Sequence, residues 1–344
     1  MKLLFISRAF PPVVGGIEKQ NFELASSLGK LVDLDLVANR RGKKFLPLFL
    51  PYAAFCGLWK ARKADYVLLG DAVLSPVGLF LSILLNKRVY CIVHGLDITF
   101  RNPLYQRVFV RFCLPRLSGL IAVGNATKTL TIAKGIHKEK VVFIPNGIRP
   151  TDDGHARVSD DFRRQLPERY FLFLGRLVPR KGVVWFLQTV APKLPDSYHY
   201  VVAGDGPHRL TISAMCETHK NIVYLGEVSD NEKQYLYRNS IAFLQPNIPV
   251  ENDIEGFGLV VLEAVAAGTI VYASNLEGLK DAVKNEKNGY LVEPKSGIQW
   301  VEALTNLHWE KERSILIKEF KEYTLNHYHW DSVAKKYLIY LTNH

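Results

Sequence analysis

The stretch KLLFISRAFPPVVGGIEKQNFELASSLGKL, residues 2–31, sets the reading of the whole chain. Lys2–Ser7 is an apolar run with the length of a buried strand. Pro11, Pro12, Gly15 and Gly16 then make a loop, and from about Gly16 to Leu31 the sequence is amphipathic and helical in character. A strand, a Gly/Pro loop and a helix in that order make the first βα unit of a parallel sheet with helices on its faces.

The unit recurs. Val32–Ala38, Tyr66–Leu69, Val89–Val93, Gly119–Val123 and Val141–Ile144 read as further strands, with helix-like segments between them. Ala72 to Leu85 has no charge but is only 14 residues long and contains Pro76, so it reads as a buried helix rather than a membrane span. From Thr151 to Arg169 the chain turns polar, with Asp152, Asp153 and Gly154 among others, and reads as a linker or loosely attached segment. The alternation then restarts with Tyr170–Leu174, His199–Val202, Ile222–Leu225, Ile241–Leu244, Thr269–Ala273 and Tyr290–Val292. The pattern predicts an α/β protein of two Rossmann-like, doubly wound domains facing across a cleft. The first would hold residues 1–150 and the second 151–328. The amphipathic, basic stretch from His329 to Leu341 would cross back, so that 329–344 joins the first domain.

The chain has 344 residues and a net charge of +11, unevenly divided. Residues 1–150 hold 22 Lys/Arg against 8 Asp/Glu, and residues 151–344 hold 22 against 25, so the halves carry +14 and −3. A strongly basic half is expected to meet an anionic surface. The four cysteines, Cys56, Cys91, Cys113 and Cys216, form no CxxC pair and read as small core residues of a reducing compartment. The apolar start is too short for a signal peptide. The protein is expected to be soluble, or to sit on a membrane without crossing it.

In such sheets ligands bind beyond the carboxyl ends of the strands, so the loops there hold the candidate residues. Gly15 and Gly16 open the first helix, where backbone can approach an anion, although the spacing is not GxGxxG and gives no support to a nicotinamide site. In Gly175–Gly182 (GRLVPRKG), Arg176 and Lys181 could converge on a diphosphate, or simply form a solvated basic turn. In EGFGLVVLEA, Glu255 would lie in the loop before a helix, and Gly258, Leu259 and Val260 would offer N–H groups to a phosphate. Glu263 sits within an otherwise apolar helix, where burial without a partner is costly; ribose hydroxyls could be that partner. His94, after the strand Val89–Val93, could point into the cleft, and Asp97 could cap a following helix. Gly204, in the tight turn GDGP, would leave space for a nucleotide. Asp33-Leu34-Asp35 matches a metal-binding DxD pattern but falls within a strand with both carboxylates on one exposed side, and is set aside.

Together these loops resemble the family-4 retaining glycosyltransferases of GT-B fold, and the resemblance covers nearly the whole chain. Its strongest element is the Glu-x7-Glu spacing of Glu255 and Glu263, reinforced by GRLVPRKG, by PNGI at 145–148 and by VVAGDGP at 201–207. The resemblance implies that Arg176 and Lys181 neutralise the donor diphosphate in place of a metal, and that no cofactor is needed. It implies that Glu263 binds ribose, that Glu255 binds hydroxyls of the transferred sugar, that Gly15 and Gly16 line the phosphate side, and that His94 sits beside the reacting centre. The implied reaction moves a hexose-type sugar from a UDP- or GDP-sugar, with retention, by same-face attack of the acceptor. Two departures concern substrate identity: the polar loop Gln245–Asp253, and Glu277 where a second glycine is common.

The first domain would take the acceptor, and it is the basic one. Residues 40–63 contain seven Lys/Arg and no acid, interleaved with Phe45, Leu46, Leu48, Phe49, Leu50, Phe55 and Trp59. Residues 98–138 again contain seven Lys/Arg and no acid. Basic and apolar residues together suit anionic lipid headgroups. The expected partners are a nucleotide sugar, a glycan or lipid-linked acceptor of cell-envelope polysaccharide or glycolipid synthesis, and an anionic membrane. The expected place is the cytoplasm, peripheral on the inner face of the cell membrane. The alternatives are a same-fold nucleotide-sugar epimerase or soluble transferase, a catalytically dead homologue, and a basic nucleic-acid-binding protein, for which no module is present.

Overall fold

The computed structural model describes residues 1–149, 157–251, 253–305, 307 and 310–343. The chain divides into two compact units, Met1–Gly147 with Tyr328–His344, and Ile148–His327.

The first unit is a six-stranded parallel sheet of β1 (Lys2–Ser7), β2 (Asp33–Ala38), β3 (Tyr66–Leu69), β4 (Arg88–Val93), β5 (Gly119–Ala122) and β6 (Val141–Phe143), in the order β2-β1-β3-β4-β5-β6. Alternate residues feed two cores. Leu4, Ile6, Leu69 and Cys91 pack under helices α2 (Leu46–Ala61) and α3 (Ser75–Leu85). Leu3, Phe5, Leu68 and Ile92 pack under α1 (Gly16–Leu28) and the C-terminal helix Trp330–Asn343. Burial on both faces explains why these strands read as unbroken apolar runs. The C-terminal helix is tied in by the Tyr90 hydroxyl, which donates to the Leu341 carbonyl at 3.2 Å, and by the Tyr340 hydroxyl, which donates to the Lys140 carbonyl at 2.9 Å.

The second unit repeats the plan with β7 (Tyr170–Leu174), β8 (His199–Ala203), β9 (Ile222–Gly226), β10 (Ala242–Gln245), β11 (Val271–Ser274) and β12 (Tyr290–Val292), ordered β12-β11-β10-β7-β8-β9. All strand pairings named in it are parallel.

Two readings of the sequence change, and the contacts at a third position agree with it. The segment Ala72–Leu85 is a helix only from Ser75 and is not buried all round, because Phe80, Ile83 and Leu84 face solvent. The stretch taken as a loose linker, Thr151–Arg169, is partly outside the described residues, Asp152, Asp153 and Gly154 included. Its described part holds a short helix, Asp160–Arg164, capped by the Ser159 hydroxyl and anchored by Phe162 in the second core. Asp33 and Asp35 are satisfied by lysines: Lys2 Nζ lies 3.4 Å from Asp33 and 3.2 Å from Asp35, and Lys60 Nζ donates to Asp35 at 2.7 Å.

Candidate active site

In the second sheet the strand order reverses between β7 and β10, and that reversal leaves a crevice beyond the strand ends. The loop after β7 closes in a short 3₁₀ turn, Pro179–Lys181, followed by Gly182 at φ 66°. A side chain at Gly182 would strike the Pro246 carbonyl, so glycine is what lets the β7 and β10 loops touch. The Ile248 N–H donates to the Arg180 carbonyl at 2.9 Å across that contact. Arg180 and Lys181 are buried as a result, and both turn to one carboxylate.

That carboxylate is Glu255. Its Oε2 accepts from Lys181 Nζ at 2.6 Å, from Asn247 Nδ2 at 3.2 Å and from an Arg180 Nη1 hydrogen bond. Arg180 Nε also donates to Asp253 at 3.0 Å, and Gln245 Nε2 donates to Asn247 Oδ1 at 2.6 Å, which fixes the amide that faces Glu255. The Glu255 backbone is held too: its N–H donates to the Glu277 carboxylate, and its carbonyl accepts from Gly278 N–H at 3.1 Å. Burial alone would raise the Glu255 pKa, but Lys181 and Arg180 outweigh it and hold the group at about 2. Burial is the largest influence on Lys181 and lowers its pKa, with Glu255 opposing. Burial raises the Glu277 pKa, and the Glu255 charge adds to the rise.

Of the residues singled out in this unit, the fold joins Lys181 and Glu255 in direct contact. Arg176 is exposed on the same loop, close enough for its charge to weigh on Lys181. The helix Leu259–Ala266 starts after Gly258, which takes φ 84°, so Leu259 and Val260 occupy its first turn. Glu263, one turn further in, has its carboxylate 3.6 Å from Lys233 Nζ. The carboxylate in the apolar helix therefore already has a protein cation beside it. Gly204, at φ 129°, makes room for the Gly175 carbonyl rather than for open space, and so locks the β8 loop onto the β7 loop. Arg180, Asn247 and Glu277 escaped the sequence reading as members of this cluster. Arg180 stood in the same octapeptide as Lys181, but only the 3₁₀ turn decides that it is buried and Arg176 is not.

In the first sheet the order reverses between β1 and β3. Arg8, after β1, places Nε 2.7 Å from Asp71 Oδ2, after β3. Asp71 is fully buried, and burial raises its pKa against the pull of Arg8, with the neighbouring Asp97 charge adding to the rise. His94, after β4, has Nε2 2.9 Å from the Gly70 carbonyl. A carbonyl only accepts, so Nε2 is the donor in this contact. Asp97 does not cap a following helix. Its carboxylate accepts from the N–H groups of His94 and Gly95, at 2.9 Å each, and from Ala72 N–H at 3.2 Å. It thus joins the β3 and β4 loops. Gly15 precedes α1 and Gly16 begins it. The Glu18 carboxylate folds into the space a side chain at Gly15 would take, so the chain's own acid stands where an anion was expected. Among the described residues no group of three or more His, Cys, Asp and Glu side chains is arranged to hold a metal.

The chain matches two families in succession: residues 14–152 match the one described as Glycosyltransferase Family 4, and residues 157–324 match Glycosyl transferases group 1. An uncharacterized glycosyltransferase of Methanocaldococcus jannaschii is 30% identical over 247 residues, which is 63% of this chain and 60% of that protein. The GDP-mannose-dependent alpha-(1-6)-phosphatidylinositol monomannoside mannosyltransferase of Mycobacterium tuberculosis is 28% identical over 64% of this chain and 63% of its own length. The match therefore spans about three fifths of these curated relatives. The crystal structure of HepE of Anabaena in complex with UDP superposes with a TM-score of 0.75 at 16% identity and covers 100% of both chains. With both halves matched in order, and with two doubly wound sheets of this kind, the chain belongs to the family-4 glycosyltransferases of GT-B fold.

Proposed function

We propose that the chain transfers a hexose-type sugar from a UDP- or GDP-sugar to a membrane-associated glycan or lipid-linked acceptor, with retention of anomeric configuration. The observation that carries this reading is the convergence of Arg180 and Lys181 on Glu255 at the switch point of the second sheet, with Arg176 on the same loop. A diphosphate arriving there meets three cations and the first turn of the helix Leu259–Ala266. Charge that grows on the leaving phosphate as the anomeric C–O bond breaks is stabilised where it develops, without need of a metal. The acceptor oxygen bonds to the same face of the sugar, and its proton passes to the departing phosphate oxygen. Glu255, fully ionised at neutral pH, accepts hydrogen bonds from the sugar's hydroxyls once the cations turn partly to phosphate. In this reading Glu263 binds the ribose and His94 sits beside the reacting centre, near the sugar. The donor class is supported by the GDP-mannose-dependent relative and the neighbour bound to UDP. No helix among the described residues is long and apolar enough to cross a membrane. The basic first half supports docking at the inner membrane face.

The test is a panel of nucleotide sugars scored by the rise in melting temperature, followed by transfer assays with the donor that stabilises most. The expected result is a clear rise for one nucleotide diphospho-sugar that disappears in Lys181→Ala. Stabilisation by none of the panel, or near-normal turnover by Lys181→Ala, defeats the reading.

A further inference from the structure

Helix α2 carries a single charged residue, Lys60, in 16 positions. A helix so apolar is ordinarily buried all round. In α2 one face is: Phe49, Ala53, Gly57 and Ala61 pack inward, with Gly57 against Leu81 of α3. The other face stands in solvent. Leu48, Tyr52, Phe55 and Trp59 are 71%, 57%, 65% and 63% exposed. Their spacing of four, three and four sets them in one row along the helix, and Phe45 prolongs it by another turn. α3 covers the same side of the sheet and adds exposed Phe80, Ile83 and Leu84.

The ends of this apolar face are basic. Exposed Arg40, Arg41, Lys43 and Lys44 precede α2, and exposed Arg62 and Lys63 follow it. Two of these cations lie over the aromatic row itself, with the Arg41 guanidinium 5.5 Å from the Phe45 ring and the Arg62 guanidinium 5.6 Å from the Trp59 ring. Contiguous apolar surface on a folded chain marks an interaction site. A second copy of the chain is a poor occupant, since a two-fold contact would bring like-charged rims together. Aromatic side chains between Lys and Arg are the composition that settles at the boundary of acyl chains and anionic headgroups.

We propose that α2 lies flat in the interface of an anionic bilayer, with Leu48, Tyr52, Phe55 and Trp59 inserted below the headgroups and the flanking Arg/Lys pairing with lipid phosphates. This rests on the membrane-side reading above and goes further: insertion of the row, not charge alone, holds the protein there.

The experiment uses the full chain with vesicles of phosphatidylcholine, with and without phosphatidylglycerol, and compares wild type with Phe55→Glu/Trp59→Glu. Both positions are exposed, so the variant keeps its fold, which its melting temperature verifies. Wild type is expected to bind the phosphatidylglycerol vesicles and to shift Trp59 emission to the blue, a shift absent in Trp59→Phe. The double variant is expected to bind about tenfold more weakly or worse. Unchanged binding by the double variant, or binding without a Trp59 shift, overturns insertion while leaving charge-based docking intact. No vesicle binding by wild type, or a dimer in solution that the double variant dissolves, overturns the proposal as well. Donor-induced stabilisation, measured in the same variants without lipid, tells separately whether the transferase reading stands.

Discussion

Asp71 and Glu255 occupy comparable places, each a buried carboxylate beside the strand reversal of its own sheet, yet their protons are held in opposite ways. Glu255 faces two cations and an amide, and stays ionised down to about pH 2. Asp71 faces one cation, Arg8, with a second carboxylate nearby, and burial raises its pKa. The difference teaches that a buried carboxylate contributes to stability only where its surroundings over-compensate the lost water. The second sheet does so with two buried cations, the pair proposed to meet the diphosphate. In the first sheet burial of Asp71 outweighs the pull of Arg8.

Substitutions can break or sharpen that contrast. The largest effect is expected from Lys181→Ala, which removes a cation from the proposed diphosphate site and should lower turnover by about 10³-fold, roughly 4 kcal/mol of transition-state stabilisation. Turnover numbers with the stabilising donor check it. Glu255→Gln leaves Arg180 and Lys181 buried without their carboxylate and should cost about 3 kcal/mol of folding stability, read from the urea midpoint. Because the folded pKa of Glu255 lies below its ordinary 4.5, its contribution is fully present above pH 4.5 and is lost as pH falls toward about 2. Glu255→Gln should therefore flatten that acid limb. Gly182→Ala forces a side chain into φ 66° and against the Pro246 carbonyl, for a loss of about 2 kcal/mol or more by the same measurement.

The smaller effects belong to the first unit. Asp71→Asn should change stability at neutral pH by about 1 kcal/mol or less, since burial outweighs the partners of the charge it removes. The sign with pH is the reverse of that for Glu255. Asp71 binds its proton more readily folded than unfolded, so its carboxyl favours the folded state below its ordinary 3.8 and loses that advantage as pH rises through the raised value. A urea series across that range, with and without the substitution, checks the sign. Gly16→Ala should be mildest, a gain of about 0.5 kcal/mol, because the position is helical and nothing stands within 4 Å of a new side chain.

Much of the fold was legible because buried parallel strands leave a strong trace. The ends of Lys2–Ser7, Tyr66–Leu69, Tyr170–Leu174 and Tyr290–Val292 match the sequence reading to the residue, and elsewhere the ends differ by one or two positions. Lys181 and Glu255 were each singled out because each follows a strand in a glycine-bearing loop, but their direct contact was not foreseen: the sequence grouped Lys181 with Arg176 and Glu255 with Glu263. What escaped was the choice among neighbours. Arg176, Arg180 and Lys181 are all cations, and only the three-residue turn Pro179–Lys181 separates the exposed one from the buried two.

Sequence alone determined the alternation of strand and helix, the division of charge between the halves and the places of the glycine-bearing loops after the strands, since these follow from local pattern and composition. The tertiary structure alone decided that Glu263 meets Lys233, that Asp97 ties two loops rather than capping a helix, and that the apolar faces of α2 and α3 are half uncovered. The physical reason is that a partner or a covering surface comes from distant chain, and an apolar or charged residue is written the same way whether or not that partner arrives.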